Sequence, residues 1–265
     1  MEVIVSTLIG RALYTARVSD RDLIVIDAPR FRIEGRSRAG HETFFRIRDL
    51  GVAFDVGRGP DAVTAMPRLF VTHAHLDHAA GIPYYFAQRH LHRRAGGRVY
   101  VPVESEQELR AILAAWQRVA NTSWPETELI ALAEHESVDL GSRREVVVHR
   151  ASHRVAANSY ELFAESRSIF FYTGDTDRRL LERNAAMYQS EVLMIECSFL
   201  GERHRANAEK YQHIHIDDIA DFAERFQNEM VILTHFSQRY SPREIREEVM
   251  RRCPAILRER LRLAL

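Results

Sequence analysis

Two cysteines, Cys197 and Cys253, are all that the 265 residues contain. That excludes a disulfide framework and a four-cysteine structural zinc site. It also suits a reducing compartment, so a cytoplasmic location is expected. Lysine is scarcer still: Lys210 is the one lysine among 37 basic residues, and the others are arginine. Net charge is absent as well, because 37 acidic residues balance the 37 basic ones. A chain that grips nucleic acid through overall positive charge is thereby excluded, whereas a local basic patch is not. No apolar run approaches the ~20 residues of a membrane span. Residues 1–10 also lack the basic region and cleavage site of a signal peptide, so no membrane association is expected. Disorder is excluded too, since 46% of the residues are apolar and the net charge is zero.

Apolar runs of strand type recur along the chain with helical patterns between them. The strand-like runs are Val3–Leu8, Leu23–Asp27, Thr43–Arg48, Val52–Asp55, Leu69–Thr72 and Arg98–Val101, then Glu145–His149, Tyr160–Ala164, Ile169–Thr173, Val192–Glu196 and Met230–Thr234. Helical patterns cover Tyr84–His92, Glu106–Val119, Asp177–Glu182, Ile216–Phe226, Pro242–Arg252 and Ala255–Leu263. Strands dominate the first sixty residues and mix with helices afterwards. This order predicts an α/β protein of packed sheets covered by helices rather than one doubly wound sheet. No linker or repeat is evident, so residues 1–265 read as a single domain.

Histidine is what the chain has in quantity, with thirteen. His73, His75, Asp77 and His78 fall within six residues directly after an apolar strand. Imidazole and carboxylate are good ligands for zinc and similar divalent ions. On an extended segment His73 and His75 point to one face. A following helical turn would swing Asp77 and His78 to the other side of the same cavity, which makes two ligand pairs for two metals.

His-x-His-x-Asp-His after a strand resembles the signature of the metallo-β-lactamase-fold hydrolases. That resemblance implies an αβ/βα four-layer sandwich of two mixed sheets flanked by helices. It also implies further ligands at later strand ends. Val146–Val155 offers both His149 and His153, and the family pattern selects His153. Phe170-Phe171-Tyr172-Thr173-Gly174-Asp175-Thr176 resembles the family's strand-Gly-Asp-Thr element, with Asp175 as a carboxylate between two metals and Gly174 allowing the sharp turn. Val231–Ser237 supplies the last ligand, His235. The implied cofactors are two divalent ions, Zn2+ or alternatively Mn2+. His73, His75 and His153 would hold one, Asp77, His78 and His235 the other, and Asp175 would bridge.

Within that family, further stretches resemble short, plant-type tRNase Z. They are Glu196-Cys197-Ser198-Phe199, His213 placed 22 residues before His235, and the ending His235-Phe236-Ser237-Gln238-Arg239-Tyr240. Thr43–Ile47 and Phe54-Asp55-Val56-Gly57-Arg58 resemble it upstream. The helix-opening stretch also contains His215, but the 22-residue spacing selects His213. The resemblance implies phosphodiester hydrolysis in pre-tRNA at the 3′ end. Its catalytic residues would be Asp77 orienting the attacking oxygen, His213 as general acid and Glu196 as its partner. It also implies a homodimer. The alternatives are a same-fold hydrolase of small phosphodiesters, esters or lactones, and a silent metal-binding regulator.

Two departures stand out. Asp175 follows His153 by only 22 positions, which leaves room for one hairpin and none for the basic arm by which bacterial members hold tRNA. Residues 7–17 also lack the family's Gly-Thr-Gly-Ser loop. Arg58, Arg239 and the Arg89–Arg98 cluster are the arginines left to meet phosphate.

Overall fold

The protein is described by a computed structural model for residues 23–265. The strand expected over Val3–Leu8 and the loop segment 7–17 lie outside the described residues. Two seven-stranded mixed sheets form the centre. The first holds β1 (Ile24–Asp27), β2 (Arg32–Arg38), β3 (Glu42–Ile47), β4 (Val52–Phe54), β5 (Arg68–Phe70), β6 (Gly97–Pro102) and β7 (Thr127–Leu132), in that spatial order. The second holds β8 (Ser137–Gly141), β9 (Arg144–Arg150), β10 (Asn158–Ala164), β11 (Arg167–Tyr172), β12 (Val192–Glu196), β13 (Met230–Thr234) and β14 (Leu261–Leu263), also in chain order.

Each sheet begins with antiparallel hairpins and ends in parallel strands. In the first, β1 to β4 are antiparallel and β4 to β7 parallel. In the second, β8 to β11 are antiparallel and β11 to β14 parallel. The two halves therefore share one topology, although no repeat is visible in their sequences.

Alternation along the strands builds the layers. Phe45 and Phe170 point into the core between the sheets, with Phe54, Phe70, Tyr160 and Tyr172. Their neighbours Phe44 and Phe171 point outward to the helices. Phe44 joins Leu69, Tyr85, Leu109 and Leu113, under the helices Ile82–Leu91 and Glu106–Ala120. Phe171 joins Leu193, Ile195, Ile219, Ile245 and Val249, under Ile216–Asp221 and Pro242–Arg252. Each fully buried aromatic or branched side chain contributes roughly 1.5–3 kcal/mol. The Pro242–Arg252 helix shows its local causes clearly. Ser241 and Glu244 form a capping box, Pro242 opens the first turn, and Arg251 and Arg252 lie in the last.

Several expectations need correction. The helix expected over Ala255–Leu263 stops at Arg258, and Leu261–Leu263 is the edge strand β14. Leu261 and Leu263 are buried while Arg262 between them is not, so the period there is two and the partner is β13. The Ile216–Phe226 helix ends at Asp221 and continues as a short 3-10 turn, Ala223–Arg225. β2, β7 and β8 and the helix Arg205–Tyr211 were not anticipated. Arg89 is no surface cation: it is buried and donates to the carbonyls of Thr64, Met66 and Ala95. It holds the chain together and cannot grip phosphate.

Candidate functional site

The ends of β5, β9, β11, β12 and β13 converge at one edge of the two sheets. After β5 the chain runs extended through His73 to His75, which precedes the helical turn Leu76–Ala79. That turn carries Asp77 and His78 round to face His235. His153 comes from the β9–β10 loop, Asp175 follows β11, Glu196 ends β12, and His235 follows β13. Gly174 turns the chain at φ +59°, where a Cβ would lie 2.6 Å from the Thr72 methyl. His235 itself sits at φ +58°, a costly backbone conformation that clusters at functional sites.

Two groups of donor atoms result. His73 Nε2 and His153 Nε2 lie 3.0 and 3.2 Å from His75 Nδ1. Asp175 Oδ2 is 3.6 Å from His73 Nε2 and 4.0 Å from His153 Nε2. In the second group His78 Nε2 and His235 Nε2 are 3.2 Å apart. Asp77 Oδ2 lies 3.6 and 3.5 Å from them. Asp175 Oδ1 lies 3.3 Å from both. One carboxylate thus offers an oxygen to each group.

These distances fit divalent ions. Nitrogen ligands at about 2.0–2.1 Å in a tetrahedral shell lie roughly 3.3 Å apart. Without a cation or proton between them, imidazole lone pairs would face one another. Asp175 Oδ1 is buried and has no hydrogen bond among the described residues, and a cation would satisfy it. Burial holds His73, His75 and His153 below the ordinary imidazole range, in the neutral form that ligates. Burial also opposes charge on His78, but the Asp175 and Asp55 carboxylates outweigh it and push that group well up. The carboxylates around His78 therefore favour positive charge at that position.

The outer nitrogens are tied down, which turns the inner ones to the cavity. His153 Nδ1 donates to the Gln212 carbonyl at 3.0 Å. His235 Nδ1 meets Ser198 Oγ at 3.0 Å. Asp55 serves both groups. Its carboxylate accepts from His78 Nδ1 at 2.9 Å and from the Thr72 hydroxyl, which in turn meets His73 Nδ1 at 2.9 Å. The Thr72 amide and the Tyr172 hydroxyl also donate to it. Asp77 Oδ2 accepts from the backbone N–H of Gly40 at 2.7 Å, at the tip of the β2–β3 hairpin. Asp55, Thr72, Tyr172 and Gly40 were not among the residues expected at the site. Asp55 lay within a quoted family stretch, but nothing in the sequence assigned it a partner.

His213 and Glu196 stand beside these groups. His213 Nδ1 lies 2.7 Å from Glu196 Oε1, and the Thr176 amide donates to the same oxygen at 2.8 Å. The other Glu196 oxygen accepts from Ser198 at 2.7 Å. Burial depresses the His213 pKa, but the Glu196 charge and hydrogen bond prevail and raise it to about 9. His213 Nδ1 is also 4.0 Å from Asp175 Oδ2, so its ring borders the donor cluster. His149 stands apart from the cluster, bonded to Glu161 at 2.7 Å. His215 caps the helix Ile216–Asp221.

Known proteins agree with this architecture. Residues 55–236 match the model of the Beta-lactamase superfamily domain. Two Arabidopsis thaliana proteins are similar over most of the chain. One is the chloroplastic tRNase Z TRZ2, at 29% identity over 85% of this chain and 73% of that one. The other is tRNase Z TRZ1, at 27% identity over 83% and 90%. Among solved structures, the short form of human tRNase Z shares the fold with a TM-score of 0.62 and 20% identity, over 77% of this chain and 92% of that one. The fold, and a family match that spans the strand ends carrying the clustered histidines and carboxylates, lead to one conclusion: the chain belongs to the beta-lactamase superfamily.

Proposed function

We propose that the chain is a metal-dependent phosphodiester hydrolase of the tRNase Z kind, cutting precursor tRNA at its 3′ end. The observation that carries this reading is the Asp175 carboxylate between two imidazole groups, with the His213–Glu196 pair alongside. The similarity to two tRNase Z proteins supports the choice of substrate. His73, His75, His153 and Asp175 would hold one ion, and Asp77, His78, His235 and Asp175 the other. The donor set is rich in imidazole, which suits Zn2+, with Mn2+ as the alternative.

Two such ions supply an acidified water and neutralise charge on the phosphoryl oxygens. The chain's own residues do the rest. Asp77, fixed by the Gly40 amide, orients the attacking water by accepting its hydrogen bond. His213 carries a proton at neutral pH and delivers it to the departing oxygen as the P–O bond breaks. Glu196 accepts the Nδ1 proton of His213, and its charge keeps the ring protonated at Nε2, the nitrogen that delivers.

Residues 1–265 are proposed as one domain, which the core shared by the two sheets supports. A homodimer is supported by exposed Ile112, Trp116 and Val119 along the helix Glu106–Ala120. The buried free thiols of Cys197 and Cys253 suit a cytoplasmic location. Among the described residues no helix is long and apolar enough to cross a membrane.

Incubation of metal-loaded protein with a 3′-extended precursor tRNA tests the reading. A single cut at the 3′ end of the tRNA body is expected. Hydrolysis of bis-p-nitrophenyl phosphate with no cut in the RNA would contradict the assignment of substrate.

A further inference from the structure

The cavity in front of the site has a volume of about 480 Å³ and a lining that phosphodiester hydrolysis does not require. Beside His75, His153 and His213 it contains Phe199, Tyr211 and Arg239. The Phe199 and Tyr211 rings lie nearly parallel, with centroids 6.4 Å apart and a tilt of 15°. The Arg239 guanidinium stands 5.8 Å from the Phe199 ring, and its Nη1 donates to Ser237 Oγ at 2.9 Å. The ammonium of Lys210, the chain's one lysine, lies 5.3 Å from the Tyr211 ring. Phe199 is buried, whereas Tyr211 is partly exposed. Among the described residues the Tyr211 hydroxyl has no hydrogen bond, unlike those of Tyr85, Tyr160, Tyr172 and Tyr188. The Tyr211 ring thus packs beside Phe199 while part of its surface and its hydroxyl stay open to the cavity.

We propose that Tyr211, backed by Phe199 and flanked by Arg239 and Lys210, is a stacking subsite for the unpaired nucleobase whose sugar carries the departing oxygen. Flat rings interleaved with cations are what sequence-tolerant single-strand binding uses, the rings for the base and the cations for phosphate. Position decides which base it is. Tyr211 ends the helix Arg205–Tyr211, and Gln212 reverses the chain at φ +56°. His213 follows directly, and its ring centroid is 6.0 Å from that of Phe199. The Gln212 carbonyl is itself tied to His153. Ring, turn and acid thus form one short rigid unit. A base stacked on the ring places its own sugar oxygen next to the proton donor. The subsite rests on the phosphodiesterase reading above and adds the class of group recognised, a nucleobase rather than a bare phosphodiester.

The test is a double-mutant cycle between protein and RNA. Tyr211→Ala and Tyr211→Phe are compared with wild type on a 3′-extended precursor tRNA. Each is also assayed on the same RNA with an abasic ribose on the departing-oxygen side of the cut. Metal content of each variant is measured in parallel and should match wild type. Tyr211→Ala should raise KM on intact RNA by about 5- to 150-fold, the value of one stacked base. kcat should fall by less than KM rises, since most of the stacking energy binds ground state and transition state alike. The abasic RNA should cost wild type a similar factor and cost Tyr211→Ala nothing further. Tyr211→Phe, which keeps the ring, should behave as wild type. Additive losses, or no loss from either change, overturn the subsite while leaving the nuclease reading intact. Failure of metal-loaded wild type to cut either RNA overturns both.

Discussion

Glu196 Oε1 lies 2.7 Å from His213 Nδ1, inside a buried pocket where the same carboxylate also accepts from Thr176 and Ser198. Those donors fix the carboxylate, and the carboxylate holds the proton on the imidazole. Burial by itself would remove that proton, but the Glu196 charge and hydrogen bond prevail and raise the pKa to about 9.

A pH dependence follows. The proton donor is charged below its raised pKa and is lost above it. Activity should therefore hold through neutral pH and fall on the alkaline side, towards about 9. Glu196→Gln removes the charge that raises the pKa, so the alkaline limb of kcat/KM should move to lower pH. His213→Ala should lose about 10²- to 10⁴-fold in rate while keeping its metal content. Loss of metal in His213→Ala would make His213 a ligand instead of the acid.

Asp55 gives a second expectation. It reaches His78 directly and His73 through the Thr72 hydroxyl, so one buried carboxylate orients an imidazole in each donor group. Asp55→Asn should weaken metal binding by about 10- to 100-fold, the usual cost of losing such an outer partner. Chelator competition reads the affinity, and circular dichroism checks the fold. An unchanged affinity in a folded variant would remove Asp55 from the account.

RNA affinity should be weak and steeply salt-dependent. The net charge is zero, and the His153–Asp175 interval holds nothing larger than the β10–β11 hairpin. Arg89 is occupied inside the protein. Phosphate contacts dominate nucleic-acid affinity and weaken as salt rises, and no basic arm gathers such contacts between His153 and Asp175. Titration of labelled precursor tRNA should lose most binding between ~50 and ~200 mM salt, while turnover of a small phosphodiester is unaffected. Tight binding at ~200 mM salt would point to a basic surface elsewhere on the protein.

The sequence revealed some of this and hid the rest for physical reasons. β12, β13 and the helix Pro242–Arg252 have the bounds read from pattern alone. The strands are continuous apolar runs, and the helix carries its own caps. β2 escaped because its inward positions include Gly35 and Ser37, which give no apolar alternation. β14 reads as helix in the sequence because three residues are too few to reveal a strand period. Among site residues, His73, His75, Asp77 and His78 are adjacent in sequence, so their clustering is visible before folding. Asp55 and Tyr172 are 117 residues apart and meet only across the two sheets. Gly40 acts through its backbone N–H, which no side-chain pattern can reveal.

The central claim is that the converging imidazoles and carboxylates form a two-ion centre. Elemental analysis of purified, metal-supplemented protein tests it most directly. About two divalent ions per chain are expected, falling sharply in His75→Ala. Folded wild-type protein that binds no divalent ion would contradict the account.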